Sequence, residues 1–224
     1  MKLIGRGTMW LAIVLFAAPF VHAQDLSQYR DFKFRTTVAD LSKQTGATPS
    51  DVTLVHESPA VMQELTWQPP TRTDPSSMEP VQSIRFSFYN GELYRMVVTY
   101  DSAATEGLTD RDIIEAISIK CGTPARFAGQ SNSSINDSDN MAVKVVARWE
   151  DAQYSFNLFK SSLSGNYGLV MYAKKVNALA AVSAAKSVEL ERQAAPQLEA
   201  VRVKKEAADL EATREKNKKA FQPW

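Results

Sequence analysis

The sequence is poor in the residues that build most catalytic and metal centres: its 224 residues include one cysteine, Cys121, and two histidines, His22 and His56. A single cysteine excludes an intramolecular disulfide, so the chain is not one of the small secreted scaffolds stapled by several bridges. A Ser-His-Asp triad or a histidine-rich metal centre has almost nothing to draw on. No G-x-S-x-G, P-loop or G-x-G-x-x-G occurs. Glycine and proline are sparse, 9 and 10 residues, which excludes collagen-like and low-complexity chains. Charge of one sign is lacking too: 26 basic against 25 acidic residues leave +1, so no whole-chain field draws in nucleic acid. The apolar run Met9–Ala18 falls short of the ~20 residues a spanning helix needs.

What is present begins with an address. Lys2 and Arg6 precede that short apolar run, and Val21-His22-Ala23 follows Pro19, the basic, apolar and small-residue parts of a secretory signal peptide. Cleavage after Ala23 puts the protein in the periplasm or outside the cell, with no transmembrane segment afterwards. No cysteine stands at the cut, so lipid anchoring is not expected. Residues 24–224 then carry 24 basic and 25 acidic side chains and a single histidine.

The rest reads as an α+β domain, 24–174, followed by a charged helical tail, 175–224. Val38 and Leu41 at helical spacing, with threonine before and Gly46 after, predict a short capped helix. Strands are predicted over 51–57 and 61–67, and the proline-rich stretch 68–80 is a loop. Ile84, Phe86 and Phe88 alternate with Ser83, Arg85 and Ser87 ahead of Asn90-Gly91, which predicts a hairpin closed by a type I′ turn. Thr109 caps a second helix that carries Asp110 and Asp112 in its first turn and stops at Gly122 and Pro124. A three-stranded meander over 143–149, 153–159 and 167–172 follows. The segments 30–101 and 108–174 repeat the order of helix, glycine and strands, as a tandem duplication or as two ordinary capped helices. Either way the expectation is an antiparallel sheet packed on one face by short helices.

Past residue 173 the composition shifts. Residues 174–224 hold 11 basic and 7 acidic side chains, against 13 and 18 in 24–173. Ala178–Ala185 and Ala207–Ala212 favour a long helix, kinked at Pro196 or restarted there. Val176, Leu179 and Val182 are its candidate packing face. A coiled-coil seam stepping from Leu198 and Val201 meets Lys205 and Glu215 and fails within about one heptad. Lys204, Lys205, Lys216, Lys218 and Lys219, with Phe221 and Trp224, are the candidate partner-binding residues, reaching an envelope protein or an anionic envelope surface; the interleaved Glu189, Glu191, Glu199, Glu206, Glu211 and Glu215 favour a plain solvated helix instead, and Phe221–Trp224 then reads as a frayed end.

Other candidates read as structural. His56 lies on a strand beside Glu57, and Cys121 sits at an apolar helix end as an inert thiol. Ser183-Ala184-Ala185-Lys186 and Ser138-Asp139-Asn140 match fragments of penicillin-recognising serine enzymes in reversed order and without K-T-G. Asn136–Asn140 is rich in oxygen but lacks the glycine and closing glutamate of a calcium loop. Glu64, Glu92, Asp101 and Glu150 are carboxylates that a sheet can bring together.

The element order, in an exported chain with an Asn-Gly-x-Leu hairpin, resembles the beta-lactamase-inhibitor-protein-like fold shared with small outer-membrane-assembly lipoproteins. The resemblance covers 30–174. This chain lacks both the lipidated cysteine of the lipoproteins and the disulfides of the inhibitors. Tyr29-Arg30-Asp31-Phe32 and Phe88-Tyr89-Asn90-Gly91-Glu92-Leu93 also resemble uncharacterised exported bacterial proteins, which imply no functional residue. The function expected is a non-catalytic binding or assembly module of the bacterial cell envelope, without cofactor, metal or nucleic acid; the alternatives are an inhibitor of a secreted enzyme and a carboxylate-based envelope hydrolase.

Overall fold

A computed structural model of the chain describes residues 25–70, 79–125 and 143–222. The signal-peptide reading, the Asn136–Asn140 loop and Trp224 lie outside them. The protein is α+β. Strands β1 (Gln28–Tyr29) and β2 (Phe32–Lys33) form a small hairpin ahead of α1 (Val38–Thr45). Then come β3 (Val52–His56), β4 (Met62–Trp67), β5 (Val81–Tyr89), β6 (Glu92–Tyr100), α2 (Asp110–Cys121), β7 (Val143–Glu150), β8 (Tyr154–Ser161), β9 (Tyr167–Ala173) and α3 (Lys174–Ala220). Seven strands make one antiparallel sheet in the order β3-β4-β5-β6-β9-β8-β7.

Local chemistry sets the punctuation. Asn90 and Gly91 adopt φ of 50° and 83°, the left-handed pair that a type I′ turn requires, and close β5 onto β6. Thr37 and Thr109 cap α1 and α2, each accepting an amide hydrogen bond three residues on. In α2 the Asp112 carboxylate bonds back to Thr109, a reciprocal box that holds its pKa below the usual carboxylate range.

Pairing register sorts the strand residues onto two faces. Leu65, Phe86, Met96, Met171 and Phe156 stand opposite one another in a continuous row across five strands, and all are buried. Trp149 extends that row onto β7 and donates its indole N–H to the carbonyl of Gly122 at 2.9 Å, so the end of α2 is tied to the sheet. Leu41 of α1, Ile113 and Cys121 of α2, and Phe32 and Phe34 complete this core. The Tyr29–Phe32 motif has a structural role. Its first and last residues pair across a two-residue turn with Arg30 at φ 52°, and the Arg30 guanidinium bonds Glu79 at 2.6 Å.

The opposite face is the one α3 reaches. Here the sequence expectation is corrected: Val176 is half-buried, but Leu179 and Val182 are 56% and 71% exposed. The packed residues are Ala180, Ser183 and Ser187, in line with Val176 at steps of three and four, whereas Leu179 and Val182 project from the flanks. Nor does Pro196 start a second helix, since α3 is continuous from Lys174 to Ala220 with Pro196 inside it.

One contact in the sheet tests its packing directly. A Cβ on Gly168 would stand 2.2 Å from Cζ of Phe159 and 2.7 Å from the carbonyl oxygen of Val98. Gly168→Ala is therefore expected to destabilise the fold by roughly 1–3 kcal/mol, measured by urea denaturation; an unchanged midpoint would show that β9 and β6 are not packed this closely.

Candidate functional site

The site begins where α3 is fixed to the sheet. Ala180, with 2% of its surface exposed, sits among Met62 of β4, Tyr94 of β6 and half-buried Tyr89 of β5. Small side chains on a helix let its backbone come close to the strands, which brings polar groups within reach. The Tyr89 and Ser183 hydroxyls share a hydrogen bond at 3.1 Å. Ser187, fully buried, donates to the carbonyl of Ser58 at 2.6 Å in the β3–β4 turn. One helical turn later the Glu191 carboxylate meets Nδ1 of His56 at 2.9 Å. His56, a strand residue, thus serves as an anchor for α3.

Beyond this root the helix projects. From Glu191 to Ala220 it runs about 45 Å at 1.5 Å per residue, and every residue from 201 to 220 is exposed. The face that packs at Ala180, Ser183 and Ser187 continues through Leu190, Ala194, Leu198 and Val201 and on through Lys205, Ala208 and Ala212, at a mean step near 3.6 residues. Leu190 and Ala194 are half-buried, whereas Leu198 and Val201 are each 66% exposed. The stripe therefore passes from covered to uncovered along one continuous helix.

Some of the charge on this arm is paired locally, Lys218 with Glu215 at 4.0 Å among it. Arg202 bonds Glu199 at 2.6 Å and also Glu206, which keeps the guanidinium pKa above its ordinary value. Arg192 bonds Glu189 at 2.6 Å. Such pairs, one turn apart, favour the helical conformation of an exposed segment. Of the candidate partner-binding residues, all those described lie on the projecting half of α3 or at its cap, but not in one cluster. Lys204 and Lys205 stand about 16 Å along the axis from Lys216. Lys216, Lys218 and Lys219 gather with Arg214 around the last turns, next to Phe221, which is 75% exposed. Lys205, Lys216 and Lys219 continue the stripe, while Lys204 and Lys218 lie off it.

The four candidate carboxylates do not converge. Glu64 accepts from the Ser87 hydroxyl at 3.1 Å, Glu150 pairs with Lys174 at 2.9 Å, and Asp101 accepts the amides of Ala103 and Ala104 at 2.9 and 3.1 Å. Register puts Glu64 and Glu150 on the same face but five strand spacings apart, about 24 Å. Glu92 is at the β5–β6 turn, and Asp101 lies beyond the opposite end of β6. Among the described residues no cluster of histidine, cysteine and acidic side chains is arranged to hold a metal.

An open cleft of about 520 Å³ lies between the turn before α2 and the β8–β9 turn, with Lys160 and Tyr167 in its wall. Its cation is already engaged: Lys160 donates to the Tyr167 hydroxyl at 3.1 Å, and that hydroxyl donates to Asp110. The hydrogen bond to Tyr167 and the carboxylate of Asp110 keep the Lys160 ammonium above its ordinary pKa. Burial pushes the Cys121 thiol up to about 11, so at neutral pH it is protonated and not a nucleophile.

Sequence reasoning missed Ser183, Ser187 and His56 as anchors. The available signal was the run of small residues at steps of three and four, Ala180-x-x-Ser183-x-x-x-Ser187, which hydrophobicity scoring passes over in favour of Leu179 and Val182. No helix among the described residues is long and apolar enough to cross a membrane.

Two outcomes check this geometry. Ala180→Leu is expected to force α3 off Met62 and Tyr94, making the Ser187–Glu191 turn a site of rapid limited proteolysis while the sheet core stays intact; unchanged cleavage would contradict the close approach. Cys121 is expected to stay unreactive toward a thiol reagent in the native protein at pH 8 and to react fully in denaturant. Immediate native labelling would contradict its burial. In comparisons with known proteins the chain matches no protein-family model, no curated protein and no solved structure.

Proposed function

We propose that this chain is an exported, non-catalytic binding or assembly module of the bacterial cell envelope, working in the periplasm or outside the cell through the projecting half of α3. The observation that carries the reading is the continuity of one helical face. It is buried at Ala180, Ser183 and Ser187 and emerges uncovered at Leu198 and Val201, on a helix whose residues 201–220 are all exposed. A segment that only capped the domain would end near Ala194. An isolated helix of ordinary composition is marginal in water, and about thirty further residues of it, rooted by three polar anchors, suit a contact arm held at a set angle.

The three-part leader of residues 1–23 supports the location. The antiparallel seam between β6 and β9, the last strands of the two segments 30–101 and 108–174, suits the reading of an internal duplication. Inhibition of a secreted enzyme through an aromatic sheet patch has less support: on the face α3 reaches, Tyr94 and Phe159 are buried, and Tyr89 and Tyr172 are half-buried.

A stop after Ala194 tests this reading, because it keeps Ser187 and Glu191 in place. The truncated protein is expected to melt within ~2 °C of the full chain, since it gives up no core contact, yet to lose its envelope partner. A photo-crosslinker placed at Leu198 or Val201 is expected to give adducts in cells, and one at Val203, on the other side of the helix, to give none. Equal labelling at all three positions, or a large fall in melting temperature on truncation, would overturn the contact-arm reading.

A further inference from the structure

We propose that the far end of α3 seats on the surface of an anionic phospholipid bilayer, with Phe221 entering the interface and Arg214, Lys216, Lys218 and Lys219 lying among the headgroup phosphates. The inference rests on the contact-arm reading and names the partner of its outer end. Arg214–Lys219 carries four basic residues and one acid, Glu215. Arg214, Asn217, Lys218, Ala220 and Phe221 line a shallow groove of about 620 Å³ there. Lysines in the last turn of a helix complement its dipole, which accounts for Lys218 and Lys219. It does not account for a phenylalanine at the helix cap with three-quarters of its surface in solvent. Cations on flexible stems beside an exposed aromatic ring match the bilayer interface, where the ring meets the acyl boundary and the ammonium groups meet phosphate.

Charge asymmetry fixes which end approaches. Residues 24–173 carry 13 basic and 18 acidic side chains, so an anionic surface repels the domain and attracts the arm, which has the opposite balance. The arm has no broad apolar face along its length, because its stripe is broken by Lys205 and carries only alanine and lysine beyond Val201. It therefore stands off the bilayer at its end instead of lying flat, and holds the sheet about 45 Å away.

The test is co-sedimentation of the chain 24–224 with vesicles of phosphatidylcholine alone or mixed equally with phosphatidylglycerol. Binding to the mixed vesicles only is expected, and it is expected to vanish near ~1 M salt, where screening acts over about 3 Å. Removing two cations with Lys216→Gln and Lys219→Gln is expected to lower the partition coefficient about twenty-five-fold, at about fivefold per charge. Phe221→Ala is expected to lower it about tenfold, and Val203→Ala to leave it unchanged. Equal binding to both vesicle types, or variants that bind like the parent, would overturn the proposal. Absence of any vesicle binding would also overturn it, and the crosslinks at Leu198 and Val201 would then separate the two readings: if they persist, the arm serves a protein partner, and if they are lost too, the contact-arm reading falls as well.

Discussion

The antiparallel pairing of β6 with β9 is the interaction on which the rest of the molecule depends. Thr99 stands opposite Gly168, Val98 opposite Leu169 and Met96 opposite Met171, and this single seam joins a four-stranded segment to a three-stranded one. With it, the inner row from Leu65 to Trp149 becomes one continuous apolar surface that α1 and α2 can cover together. Without it, each segment would bury its own face against one short helix, and α1 spans only eight residues. Gly168 is where the seam is tightest, because the Phe159 ring and the Val98 carbonyl occupy the space a side chain would take.

The seam also builds the floor for α3. That helix starts directly after β9, at Lys174, and crosses back toward β3, so its first turns meet β6, β5 and β4 in succession. A flat, close crossing requires small residues on the helix underside, and Ala180, Ser183 and Ser187 supply them. Close approach in turn lets short hydroxyls reach the Tyr89 hydroxyl and the Ser58 carbonyl, groups that longer apolar side chains would have held at a distance. The root is thus held by packing and by directional hydrogen bonds, and directional bonds fix the angle at which the remaining helix leaves. The arm's exit angle is therefore a property of the sheet as much as of the helix.

Electrostatics separates the two ends. Acidic residues outnumber basic ones in the domain and basic ones outnumber acidic in α3, while the middle of the arm, 191–213, is nearly balanced with 4 basic and 5 acidic side chains. The excess of positive charge gathers at the last turns beside Phe221, where Arg214–Lys219 holds four basic residues and one acid. A helix that keeps its middle neutral and its end cationic presents a directed contact instead of a diffuse field, and screening confines that contact to short range.

The sequence by itself determined what local physics can decide. Asn90-Gly91 dictates its turn because both residues tolerate positive φ; Thr37 and Thr109 dictate helix starts because their hydroxyls satisfy free amides; alternation in Ile84-Phe86-Phe88 dictates which face is buried. The candidate cations and Phe221 were legible as well, since a charged, alanine-rich segment reads as an exposed helix without reference to anything else. Only the tertiary structure decided which strand neighbours which, because the β6–β9 pairing spans about seventy residues and no local signal encodes it. It decided the packing face of α3 for the same reason: hydrophobicity favours Leu179 and Val182, but the shape of the crossing selects Ala180, Ser183 and Ser187. The separation of Glu64 from Glu150 and the pairing of His56 with Glu191 follow from that topology, since contact between residues remote in sequence is settled by how the sheet is assembled.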